Sequence, residues 1–73
     1  MGEAKDYLLK VGKNIKKHRL AAKIKQVDLA YACNFDKQTL YKIETGKINL
    51  TLKTLLKLST SLNVSVKDLV DVQ

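Results

Sequence analysis

Proline and tryptophan are absent from this 73-residue chain, which holds one cysteine, one phenylalanine, one histidine and three glycines. A lone Cys33 makes neither an internal disulfide nor the usual zinc set. His18 lies fifteen positions away with no paired ligand near either residue, so no structural metal is expected. No apolar run approaches the roughly 20 residues a membrane span needs. The opening MGEAKDYLLKVGKN lacks the long apolar stretch of a secretory signal. Met1 and Gly2 fit the head of a myristoylation site, but Asp6 stands where Ser or Thr is wanted. The expectation is a soluble, cytoplasmic protein that does not engage membranes. Nothing assembles a nucleophile with a base, paired carboxylates in a cleft or a glycine-rich phosphate loop. No catalysis, cofactor or small-molecule substrate is therefore expected.

What the chain does hold is a core and a charge. At 45% hydrophobic it can build one small domain with one core, and it is too short for a second catalytic lobe. Fourteen Lys and Arg stand against seven Asp and Glu, a net charge of +7. Such a field favours a polyanion such as nucleic acid, because neutralised phosphates release condensed counterions.

Helical periodicity dominates, and no linker, repeat or low-complexity tract interrupts it. From about Tyr7 to Ala22, Leu8, Val11, Ile15 and either His18 or Arg19 recur at helical spacing, with Asp6 as a plausible N-cap. Residues 1–6 read as an N-terminal arm and 7–73 as a single domain. Gln26 opens a second helix with Leu29, Ala30 and Cys33 inward, and Asn34 ends it by the left-handed route that asparagine tolerates. Asp36 caps a third helix, Lys37 to Thr45. It buries Leu40 and Ile43, leaves Lys37, Gln38, Tyr41 and Lys42 outward, and stops at Gly46. Thr51 caps a fourth, Leu52 to Leu62, with Leu52, Leu55, Leu56, Ser59 and Leu62 spaced for burial. Asn63 ends it, and Ser65 with Asp68 opens a last helix, Val66 to about Val70. The fold class is all-α, a compact domain of five helices.

The stretch Gln26 to Gly46, QVDLAYACNFDKQTLYKIETG, thus reads as two short helices pinched around Asn34 and Phe35. That layout presents a helix to the DNA major groove, and the first part of the second helix points at base edges. Lys37, Gln38 and Lys42 have the reach. Gln38 can bond adenine N6 and N7 together, while Lys37 and Lys42 suit guanine or a phosphate. Tyr41 suits a thymine methyl or a phosphate. Gln26, at a positive helix start, together with Lys47 and Lys16 or Lys17, are candidate phosphate contacts.

From Val11 to Val72 the chain resembles the Cro and phage-repressor type of helix-turn-helix regulator, the XRE family. The likeness rests on Gln26 at the head of helix 2, Ala30 at the helix crossing, Leu40 and Ile43 in helix 3, I-E-x-G-K at Ile43 to Lys47, and the terminal N-V-S-V-K-D-L. It implies a sequence-specific, double-stranded DNA-binding transcriptional regulator, a repressor by preference, with base contacts from Lys37, Gln38 and Lys42. It also implies a partly buried ion pair between Arg19 and Glu44, since a bare carboxylate at the end of helix 3 opposes the helix dipole. Asn34 replaces the usual turn glycine, and Leu50 leaves an apolar group on a loop expected to be exposed.

Such regulators bind two half-sites as two-fold dimers. Leu50, Val64, Val66, Leu69, Val70 and Val72 are more apolar residues than a short tail needs. They are expected to form a homodimer interface, the competing view being that Val66 and Leu69 merely cover the core. A different reading is an antitoxin or interaction module whose main partner is a toxin or other protein, but the polar, basic face of helix 3 favours DNA. RNA is disfavoured, since the A-form major groove does not admit a helix and the few aromatics form no stacking platform.

Overall fold

A computed structural model describes residues 2–72 as five helices: α1 (Gly2–Ala21), α2 (Gln26–Ala32), α3 (Lys37–Glu44), α4 (Leu52–Leu62) and α5 (Val66–Val70). Among the described residues there is no strand, and no helix is long and apolar enough to cross a membrane. No group of three or more His, Cys, Asp or Glu residues there is placed to hold a metal ion.

Local chemistry sets the helix starts. The Asp36 carboxylate accepts from the Thr39 N–H at 2.7 Å, and Thr51 Oγ1 from the Thr54 N–H at 3.1 Å. Ser65 and Asp68 form a reciprocal capping box. Thr39, first through its side chain and then through its backbone N–H, holds the Asp36 carboxyl below the usual aspartate range. The Ser65 backbone and hydroxyl do the same for Asp68. No side chain caps α2, whose N-cap is Lys25.

The ends of α1 to α4 share one closure. In each, a left-handed residue (Lys23, Asn34, Gly46 or Asn63) precedes an N–H that reaches back five residues to a carbonyl. The four bonds are Ile24 to Arg19 (3.1 Å), Phe35 to Ala30 (2.8 Å), Lys47 to Lys42 (2.8 Å) and Val64 to Ser59 (3.0 Å). This Schellman arrangement satisfies carbonyls that the helix ends would leave orphaned. Lys23 adopts it with φ 60, without the conformational freedom of glycine.

The core gathers Val11, Ile15, Leu29, Leu40, Ile43, Leu58, Leu62 and Leu69 around the small residues Ala30 and Cys33. Side chains as fully buried as Ile15, Leu40 and Leu58 stabilise by about 1.5–3 kcal/mol each. Two expectations fail. Helix α1 begins at Gly2 rather than Tyr7, so residues 2–6 are helical rather than an arm and Asp6 sits within the helix instead of capping it. The buried face of α4 runs through Leu55, Leu58, Ser59 and Leu62, whereas Leu52 and Leu56 are 66% and 51% exposed. Leu58 is the core residue that the other spacing misses.

Helix α1 also braces the end of α5. The Tyr7 hydroxyl donates to the Val70 carbonyl at 3.2 Å, and Asn14 Nδ2 donates to the carbonyls of Asp68 and Leu69 at 2.8 and 2.9 Å. A five-residue helix cannot satisfy its own last carbonyls, and α1 supplies the donors.

Candidate nucleic-acid interface

Helices α2 and α3 meet at a sharp turn in which Asn34 (φ 61) takes the left-handed conformation and Phe35 packs back on the core. Ala30, 1% exposed, is the small residue of α2 that permits the approach of α3. Leu40 and Ile43 fill the inner face of α3, while Lys37, Gln38, Tyr41 and Lys42 stand exposed on its outer side. This row is free of hydrogen bonds from its side chains to the rest of the described residues.

The far end of α3 is held by two other helices, α1 and α2. Arg19 Nε donates to Glu44 Oε2 at 2.7 Å and Arg19 Nη2 to Oε1 at 3.2 Å, both within the buried interior. Arg19 Nη1 also donates to the Ile24 carbonyl at 2.9 Å. Gln26 Nε2 donates to Glu44 Oε1 at 2.9 Å. The carboxylate at the negative end of α3 is thus neutralised by a guanidinium from α1 and solvated by an amide from α2. Gln26, a candidate phosphate contact, has one of its two amide hydrogens committed inward.

Two glycines allow this joint to close. A Cβ on Gly12 would strike the Ile43 carbonyl and lie 2.8 Å from that of Glu44. Gly46, with φ +71, would place a Cβ 2.8 Å from the Leu9 backbone. Helix α1 therefore rests against the end of α3 almost backbone to backbone.

The remaining candidates separate. Lys47 Nζ lies 5.7 Å from the centroid of the Tyr41 ring, a cation–π pair that brings a phosphate candidate beside a base-reading candidate. Lys16 borders a recess with Gln26, Tyr41 and Thr45. Lys17 borders another, with Lys10, Asn14 and Asp71, on the side of α1 facing the end of α5. His18 is half-buried on α1, while its neighbour Arg19 takes the inward position. Of the dimer candidates, Leu69 is 0% exposed and unavailable to any partner, because it fills the core beneath α5. Leu50 is half-buried against the core rather than free on a loop, as are Val64, Val70 and Val72, and Val66 is also half-buried. Gly12, Asn14 and Leu58 carry roles that the sequence pattern did not mark.

A family model described as helix-turn-helix matches residues 15–69. Two solved structures are similar across most of the chain. The restriction-modification controller protein C.AhdI from Aeromonas hydrophila is 31% identical, with 85% of this chain and 94% of that one covered and a TM-score of 0.82. The clp gene regulator ClgR from C. glutamicum is 20% identical, with 89% and 84% covered and a TM-score of 0.85, a likeness of fold. No curated protein matches the chain.

Proposed function

The chain belongs to the Cro/C1-type helix-turn-helix family of DNA-binding transcriptional regulators, and from that premise we propose that it reads double-stranded DNA with α3 in the major groove and acts as a repressor. The observation that carries this reading is the contrast between the two sides of α3. Leu40, Ile43 and Glu44 are locked inward, and Lys37, Gln38, Tyr41 and Lys42 are left outward on an eight-residue helix. Gln38 and the two lysines address base edges, Tyr41 a thymine methyl or a phosphate. The second amide hydrogen of Gln26, with Lys47 and Lys16, grips the phosphates alongside. Lys17 is left out of that grip, since it borders the recess at the end of α5 and not the one beside Gln26 and Tyr41.

The repressor binds as a homodimer. A single α3 reads only a few base pairs, so affinity and specificity rise when a two-fold pair covers two half-sites. Because Leu69 is buried, the exposed Leu52 and Leu56 of α4 are the apolar residues we assign to the dimer face in its place. Sedimentation showing only monomer at tens of micromolar, with and without DNA, would remove this part.

Selection from a random duplex pool tests the whole reading. A two-fold-symmetric consensus is expected, and Gln38→Ala should relax one position of each half-site at a cost of about 1–3 kcal/mol. Sequence-blind binding by the unaltered protein would overturn it.

A further inference from the structure

Lys5, Leu9, Lys13 and Lys16 follow one another along α1 at steps of four, four and three residues, which places them on one face of the helix. That face is not an ordinary solvated one. Lys5 and Leu9 border a groove whose opposite wall holds Lys47 and Asn49. Leu9, Lys13 and Lys16 border the next recess, across from Gln26, Tyr41 and Thr45. The stripe therefore runs past the exit of α3 and the start of α2, the two places to which the DNA reading assigns phosphate contacts.

We propose that this stripe is a rail for the DNA backbone, with Lys5, Lys13 and Lys16 each neutralising a phosphate beside the groove that α3 enters. The inference rests on the DNA-reading role of α3 and extends its footprint to the first turns of α1. From Lys5 to Lys16 the helix rises about 16 Å. One strand of duplex presents a charge about every 3.4 Å along its axis, so three lysines over that length can meet separate phosphates. Charge on the two walls agrees. The one carboxylate bordering either recess is Glu44, already held by Arg19 and Gln26. Among the described residues no ion pair involves the three lysines. On the other side of α1, Lys10 and Lys17 have Asp71 for a neighbour. Lys13 borders the recess with Asp71 as well as the one with Lys16 and Gln26, and among the described residues no ion pair holds it at the former, so its arm can serve the rail.

The test measures binding of the full chain to its selected duplex and to a scrambled one across 50–200 mM salt. Lys5→Ala, Lys13→Ala and Lys16→Ala should each make the slope of log affinity against log salt shallower by about 0.9, equally on both duplexes. Lys10→Ala and Lys17→Ala should leave it unchanged, and all five should melt like the unaltered protein because these side chains are exposed. Equal effects from both sets, or none from the first set while Lys47→Ala still acts, would overturn the rail. A split between the sets in a protein that shows no preference for the selected duplex would keep the rail and discard the base-reading role of α3.

Discussion

The exits of α2 and α3 have the same backbone and opposite side-chain chemistry. Each ends on a left-handed residue followed by an N–H that bonds five residues back at 2.8 Å. At α2 the residue carrying that N–H is Phe35, packed on the core, and the exits of α1 and α4 repeat the choice with Ile24 and Val64. At α3 it is Lys47, exposed and laid against Tyr41. An apolar group there normally fastens the chain to the helix it has just left. Helix α3 obtains its fastening instead from Glu44 and from the approach of α1 at Gly12 and Gly46. The side-chain position is thereby released from packing, and this departure from a repeated local motif falls at the end of the domain to which the proposal assigns a phosphate contact.

The contrast predicts that α3 fails at its backbone and α2 at its side chain. Gly46→Ala meets both the left-handed strain and the Leu9 backbone 2.8 Å away, and should cost about 3 kcal/mol in urea unfolding. A cost near 1 kcal/mol, that of left-handed strain alone, would show that α1 yields at this seam. Phe35→Ala should cost about 2 kcal/mol, below the value for a fully buried ring, and leave base preference intact. Lys47→Ala should change stability by less than about 0.5 kcal/mol while weakening all DNA sites alike. Equal destabilisation by the two would erase the distinction between the exits.

The smallest effect concerns the entrances. Asp36 starts α3 and Asp68 starts α5, and both carboxyls are held below the ordinary aspartate value of 3.8 by the hydrogen bonds of their caps. A carboxyl depressed in the folded state stabilises fully above its unfolded value, and that contribution drains as pH falls through the lowered folded value. The melting temperature should therefore ignore these two caps from neutral pH to about 4 and fall below it. Asp36→Asn with Asp68→Asn should flatten that acid limb, and an unchanged limb would show that other groups govern it.

The same contrast marks how far the sequence can be read. The starts of α3, α4 and α5 were legible because Asp36, Thr51 and Ser65 cap through bonds to residues three positions away. The helix-turn-helix was legible because Asn34 and Gly46 announce left-handed backbone. Helix α1 was cut short because Asp6 offers a cap at a point where the helix does not begin. In α4, leucines at 52, 55, 56, 58 and 62 support two overlapping stripes, and only the tertiary arrangement decides that Leu58 goes in while Leu52 and Leu56 stay out. Lys16 and Lys17 are neighbours in sequence but about 100° apart around α1, enough to send them to different recesses. Gly12 and Asn14 were silent because their roles depend on what lies opposite: carbonyls of α3 for one, carbonyls of α5 for the other.

The joint at Glu44 has a consequence for binding entropy. Guanidinium, amide and carboxylate meet with every buried side-chain polar atom among the described residues satisfied, so the orientation of α3 is settled when the chain folds. Docking on a duplex then spends its ordering cost on side chains rather than on the helix, at about 0.5–1.5 kcal/mol for each rotamer-rich group immobilised. Small as it is, the domain holds α3 rigid through its buried end, and it keeps its residual freedom in the exposed lysines and glutamine of the outer face, the side chains to which the proposal assigns the reading.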